Sequence, residues 1–422
     1  MKGRDFWPAL IAANRSGERR GIPSWCTAHP QTLAAILAAH RDSDEPILIE
    51  ATCNQVNQEG GYTGMTPADF RRFVEGLASD AGVDPRRLIL GGDHLGPNPW
   101  KRLPAREAMA RACAMVKAYV EAGFEKIHID ASMACCDENV VSETAIAERG
   151  AELAAAAESA GPRGGRVYVI GTEVPIPGGE LGDLDSLAVT RPEAARRTYD
   201  LHRAAFAARG VADVMDSVIA LVVQPGVDMG NTQVFLYDKT KAAALSAAAA
   251  GIPGVVYEAH STDFQSESGL ADLVATHFAI LKVGPSLTFA FREAVFALAE
   301  IEARIAPAAP SRIVETLERV MDANPAHWRP YVAADGDERL TRLYGLSDRI
   351  RYYWPEPEAQ ASLRRLFANV DAARPLPGLV SQFAGDMLLE RTEPTLSQRL
   401  VAAKVEAVVA KYRRACGSDA TG

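Results

Sequence analysis

Eight short apolar runs, each followed by a polar loop and a longer helical pattern, constrain the fold more than any other feature of this chain. They are 22–28 (IPSWCTA), 46–51 (PILIEA), 87–93 (RLILGGD), 126–130 (KIHID), 166–173 (RVYVIGTE), 218–224 (VIALVVQ), 254–259 (GVVYEA) and 278–283 (FAILKV). Most are apolar at successive rather than alternate positions, the pattern of parallel strands covered on both faces. Helical periodicity fills the gaps over 31–40, 67–80, 105–122, 145–160, 191–210, 239–250 and 267–277. Thr66 before Pro67 reads as an N-cap with proline in the first turn. Eight strands alternating with helices predict an α/β fold, the (β/α)8 TIM barrel, with an open doubly wound sheet as the alternative.

From about residue 295 the strand runs disappear. Segments 293–305, 310–323, 357–372 and 394–414 read as helices, and prolines punctuate the region. The expected organisation is a barrel over 1–295 and an α-helical C-terminal extension over 296–422. The stretch YGLSDRIRYYWP (344–355) concentrates arginines and aromatics. Arg349, Arg351, Tyr352 and Tyr353 are therefore candidates for a lid or a phosphate grip, with an interface or packing patch as an equal alternative.

Composition excludes several classes of function. The formal charge is −9, so the chain has no overall electrostatic footprint for nucleic acid or an anionic membrane. Six cysteines without a CxxC are too few for a disulfide framework and do not suggest a structural zinc site. No run of about 18 apolar residues is present, so no membrane span is expected. The first residues lack the apolar core of a signal peptide. A reducing cytoplasm is the expected setting.

In a barrel of this kind the reacting groups lie at the C-terminal ends of the strands. Nearly every run here ends in a polar or ionisable residue. Glu50 is followed by Asn54 and Gln55, and the third run ends in Asp93-His94. The fourth ends in Asp130 with Ser132 beyond, the fifth in Glu173, the sixth in Gln224. His260, Ser261 and Thr262 follow the seventh, and Gly284 and Ser286 the eighth. Two of the eight histidines, His94 and His260, fall at strand ends. Imidazoles converging with carboxylates or carboxamides suit a divalent cation. The expected ligands are His94 and His260, completed by Gln224 or Glu173. Asp93 is the leading candidate for moving a proton, if burial tunes it toward working pH, with Asp130 and Glu173 as alternatives. His128 lies on the same strand face as Asp130 but deeper, and reads as packing.

The stretches IEATCNQVNQEGGYTGM, LGGDHLGPNPW, KIHIDASM, GTEVPIPGGE, VVQPGV, YEAHSTDFQ and LKVGPSLTFAFREA resemble the GatZ/KbaZ family over nearly the whole chain. Its members are described as non-catalytic subunits of class II tagatose-1,6-bisphosphate aldolase; some relatives are ketose 4-epimerases. A fainter resemblance reaches the catalytic, zinc-dependent class II aldolases, through Asp93-His94, Ile129-Asp130-Ala131-Ser132 and His260-Ser261-Thr262. Those enzymes have His-Gly where this chain has Gln224-Pro225-Gly226, which leaves Zn²⁺, Mn²⁺, Co²⁺ and Mg²⁺ open. The resemblance implies retro-aldol chemistry on tagatose- or fructose-type ketoses or ketose phosphates. It points to C4 epimerisation or an aldolase component, and otherwise to a non-catalytic subunit stabilising a separate class II aldolase. A homo-oligomer is also expected. Glu50, Asn54, Gln55 and Ser132 would meet the sugar. Ser261, Thr262, Gly284 and Ser286 would offer donors to a phosphate, a site weakened by Pro285, which lacks an N–H.

Some members of the family were once labelled kinases. The chain has no GxxxxGK[ST] segment; Gly60–Gly64 supplies glycines without a following lysine. Nucleotide-dependent phosphoryl transfer is therefore not expected.

Overall fold

The computed structural model describes residues 3–162, 164–172, 187–332, 336–385 and 394–417. Its centre is a closed barrel of eight parallel strands: β1 (Ile22–Cys26), β2 (Ile47–Thr52), β3 (Leu88–Leu95), β4 (Lys126–Ile129), β5 (Val167–Ile170), β6 (Val218–Val222), β9 (Val256–Ala259) and β10 (Phe278–Val283). All eight coincide with the apolar runs, and β10 pairs with β1 to close the ring. A small antiparallel ribbon, β7 (Asp228–Met229) with β8 (Val234–Phe235), follows β6. Two residues per strand carry too little pattern to be read from sequence.

The helices around the barrel are α1 (Gly3–Arg15), α2 (Pro30–Ala38), α3 (Pro67–Asp80), α4 (Ala105–Glu121), α5 (Glu143–Ser159), α6 (Pro192–Ala208), α7 (Ala243–Ala248) and α8 (Glu267–Ala275). Then come α9 (Pro285–Ile305), α10 (Ile313–Ala323), α11 (Glu338–Tyr344), α12 (Pro357–Ala373), α13 (Pro377–Ala384) and α14 (Leu396–Ala415). Thr66 caps α3 in a reciprocal box with Asp69, satisfying two backbone donors at once. Helix α1 was not expected. Its Phe6, Trp7, Leu10 and Ile11 join Ile22, Leu48, Ile89, Val169 and Ile280 in one buried cluster. Most of these partners start or line strands, so α1 plugs the end of the ring away from the strand C-termini.

Helix α9 runs without a break across position 295, and α14 bridges the two remaining clusters. Leu396, Leu400 and Val401 pack in the helical extension. Val405, Val409, Tyr412 and Ala415 pack on the barrel. Among the described residues no helix is long and apolar enough to cross a membrane.

Candidate functional site

The chemistry gathers where β3, β4, β9 and β10 end. In the β2–β3 register Glu50 faces Gly91 and Thr52 faces Asp93. A Cβ on Gly91 would lie 2.6 Å from Glu50 Oε1, so only glycine leaves room for that carboxylate. The β3–β4 register shifts between Gly92 and Leu95. This bulge holds His94 at φ 50°, left-handed backbone that side-chain-bearing residues seldom adopt, and Ser261 after β9 sits at φ 51°. Gly96 lets the chain pass Asp130, whose carbonyl oxygen would be 1.6 Å from an added Cβ.

These turns bring three imidazoles together. Ring centroids are 4.8 Å apart for His94–His260, 5.0 Å for His94–His128 and 5.1 Å for His128–His260. With Asp93 they form a buried group whose candidate ligand atoms all lie within 4.8 Å of one another. Each ring is tied to a carboxylate through one nitrogen. His94 Nδ1 meets Asp130 Oδ2 at 2.8 Å, His128 Nδ1 meets Asp93 Oδ1 at 2.8 Å, and His260 Nε2 meets Glu258 Oε1 at 2.9 Å. An ionised carboxylate only accepts, so each bond places a ring proton on the bonded nitrogen, and a ring that stays neutral keeps its lone pair on the other. Burial opposes protonation of His94, but Asp93 and Asp130 outweigh it and raise its pKa. The backbone N–H of His94, 3.1 Å from His128 Nδ1, competes for the same atom. His128 Nε2 is buried with no hydrogen-bond partner.

Below the imidazoles lies a dry ionic layer. Lys126 Nζ meets Glu50 Oε1 at 2.6 Å and Glu258 Oε2 at 2.8 Å. Lys282 Nζ pairs with Glu50 and reaches Asp93 Oδ2 at 2.9 Å. Buried charge is tolerated only when paired in this way. Burial opposes ionisation of Asp93, but His94 and Lys282 outweigh it and hold its carboxyl well below the usual range. The expected upward tuning is therefore reversed. Asp130 falls to about 2, since the His94 hydrogen bond and charge outweigh burial. Burial pushes His260 down to about 3, so it stays neutral.

Asp93, His94 and His260 of this cluster floor a cavity of about 360 Å³, a size suited to a small metabolite, with His128 buried behind them. Asn54, Gln55, Asp93, His94, His260, Ser261 and Gly284 line it, together with Cys26, Tyr62, Asp263 and Lys282. The extension contributes Arg351, Tyr352 and Trp354. The Tyr62 and Tyr352 rings meet at 4.8 Å, where the loop after β2 touches the extension. Arg349 and Tyr353 do not line the cavity: Arg349 stacks 3.6 Å over Tyr331, and Tyr353 lies in the extension's core.

Several expected site residues sit elsewhere or have their polar groups already engaged. Gln224 is not in the cavity lining; its Oε1 accepts N–H bonds from Gly226 at 2.8 Å and Val227 at 2.9 Å, capping the turn after β6. Glu173 lies outside the described residues. Glu50 is fully buried between the two lysines, away from the cavity surface. Ser132 binds Asp130 Oδ1 through its N–H and hydroxyl, at 3.0 and 2.6 Å. Thr262 Oγ1 donates to the Lys282 carbonyl at 2.6 Å. The backbone N–H groups of Gly284 and Ser286 donate to Asp263 Oδ1, at 3.1 and 2.8 Å. His128, read as packing, is the third imidazole. Its signal was present: in KIHID, residues 126, 128 and 130 share one strand face, and all three carry ionisable groups.

The sequence model of the family described as D-tagatose-1,6-bisphosphate aldolase subunit GatZ/KbaZ-like matches residues 8–417. The chain is 46% identical over 414 residues to a D-tagatose 6-phosphate 4-epimerase of Agrobacterium fabrum, covering 97% of each. It is 45% identical over 419 residues to a D-tagatose-1,6-bisphosphate aldolase subunit GatZ of Salmonella enteritidis, covering 97% of this chain and 99% of the relative. The crystal structure of a probable tagatose 6 phosphate kinase from Sinorhizobium meliloti superposes with a TM-score of 0.86 at 47% identity, covering 94% of this chain and 100% of that one.

Proposed function

The chain belongs to the GatZ/KbaZ-like family, and from that premise we propose that it interconverts tagatose- and fructose-type ketose phosphates at C4 by cleaving and remaking the C3–C4 bond. The observation that carries this reading is the set of three carboxylate-tethered imidazoles, His94 and His260 at the floor of the cavity and His128 buried behind them. Carboxylate–histidine pairing is the usual support of a metal ligand. The donor set suits a divalent cation in two further respects. His128 Nε2 is buried without a partner. The ionic layer also sets four carboxyl groups (Glu50, Asp93, Asp130, Glu258) against only two ammonium groups (Lys126, Lys282). His94, His128 and His260 would hold the cation, with Asp93 beside them. When bound, it supplies Lewis acidity toward the C2 carbonyl and steadies the charge left by bond cleavage.

The chain's own residues do the rest. Asp93 is ionised and takes the proton of the C4 hydroxyl. As the C3–C4 bond breaks, its electron pair stays with the C1–C3 fragment and C4 becomes an aldehyde. Asp93 returns the proton after the aldehyde re-adds through its opposite face. Lys282, 2.9 Å from Asp93, stabilises the carboxylate before the first transfer and after the second. Arg351 and Tyr352, from the extension, retain the phosphorylated aldehyde while it turns. The nearest competing reading is the aldolase component suggested by the relatives named GatZ. Incubating the purified chain with Mn²⁺ or Zn²⁺ and fructose 6-phosphate, followed by ¹³C NMR, separates the two. Tagatose 6-phosphate formed without a partner supports the epimerase. Turnover only after adding a class II aldolase chain supports the subunit and overturns the epimerase.

A further inference from the structure

Barrels commonly hold a phosphate at the loops after the seventh and eighth strands, on the free N–H groups of the helix that follows. In this chain that helix is α9, which begins Gly284-Pro285-Ser286. Pro285 has no N–H. The N–H groups of Gly284 and Ser286 both donate to Asp263 Oδ1, at 3.1 and 2.8 Å. The next N–H, of Leu287, donates to the Gly284 carbonyl at 3.1 Å. The backbone N–H groups of Gly284, Ser286 and Leu287 are therefore all spent, and a buried carboxylate stands where an anion would bind. Asp263 also lines the cavity that holds the imidazole cluster.

We infer that Asp263 is a specificity-determining residue: it fills the anion cradle of α9 and turns away a second phosphate at that end of the cavity, so the chain takes ketose monophosphates and refuses bisphosphates. This rests on the ketose reading above. A phosphate would have to displace a carboxylate from two hydrogen bonds and then lie beside it. A sugar hydroxyl can instead donate to that carboxylate. The consequence is discrimination between tagatose or fructose 6-phosphate and the corresponding 1,6-bisphosphates, although both carry the same C4 centre.

The test uses calorimetric titration of the metal-loaded full chain with fructose 6-phosphate and fructose 1,6-bisphosphate. The wild type is expected to bind the monophosphate at least tenfold more tightly. Asp263→Ser frees both N–H groups and should narrow that ratio tenfold or more. Asp263→Asn keeps an acceptor for those N–H groups and removes only the charge, so it should narrow the ratio less and covers the case in which the serine variant does not fold. Equal binding of both ketoses by the wild type, or a folded variant of either kind with an unchanged ratio, overturns the assignment. A separate arm follows thermal stability in sodium sulfate, which needs no sugar chemistry. Stabilisation of Asp263→Ser beyond the wild type supports the filled cradle even if no ketose binds and the proposed reaction fails. An identical response of the two proteins counts against it.

Discussion

His94, His128 and His260 each commit one nitrogen to a carboxylate, and the second nitrogen of each is the one the proposed cation would use. Replacing His128 by Ala should abolish stoichiometric Mn²⁺ or Zn²⁺ binding, as His94→Ala should. Metal analysis of the dialysed proteins decides it, and full retention by His128→Ala would remove that imidazole from the ligand set. Asp130→Asn keeps the ring in place but weakens its tether, and should cost about 10–100-fold in metal affinity. Gln224→Ala, by contrast, should leave the affinity unchanged, because that carboxamide is engaged with the turn at Gly226. Tyr352 predicts a pH effect. Burial opposes its ionisation, but Arg351 and Arg349 outweigh burial and bring it down to about 8. Below that pH the phenol is neutral and Arg351 keeps its full attraction for phosphate; above it, a phenolate offsets the charge. KM for a ketose phosphate should therefore rise as pH passes about 8, and the rise should vanish in Tyr352→Phe. At this scale the sequence was half legible. His94 and His260 stood at strand ends, where function is expected. His128 lay inside a strand, where a lone histidine reads as packing. Nothing in the pattern could show that Asp263 caps a helix start 21 residues downstream, since that contact is made by the closed ring and not by local spacing.

Among the elements, α1 and α3 carry separable lessons. The face of α1 that buries Trp7 and Leu10 against strand residues makes it a plug, so Leu10→Ala should cost about 2–5 kcal/mol, as for a core cavity. Urea midpoints measure this, and a loss below about 1 kcal/mol would show that the plug is loosely seated. Thr66→Ala removes the cap of α3 and should cost about 1 kcal/mol in the same assay. The eight barrel strands were legible because double-sided burial writes continuous apolar runs. Helix α1 was not, because Pro8 inside it interrupts the expected pattern and its apolar face is explained only by the ring it seals. The bulge after Gly92 was likewise invisible, although it aims His94.

For the molecule as a whole, cation and fold should be linked. A cation bound only by the folded chain adds about 2.7 kcal/mol when present at 100 times its Kd. Chelation should therefore lower Tm by several degrees and abolish turnover together, and restoring Mn²⁺ should recover both. A Tm indifferent to added Mn²⁺ in a metal-free preparation would speak against binding at this cluster. The cavity is also a joint product of barrel and extension, since Arg351, Tyr352 and Trp354 reach it from beyond α9. Behind it, Tyr412 of α14 donates its hydroxyl to the Thr262 carbonyl at 2.7 Å, two residues from His260. On the ribosome the last barrel strand emerges well before α14 does. Until that helix follows, the mouth of the nascent ring lacks the hydrogen bond that braces the loop beside His260.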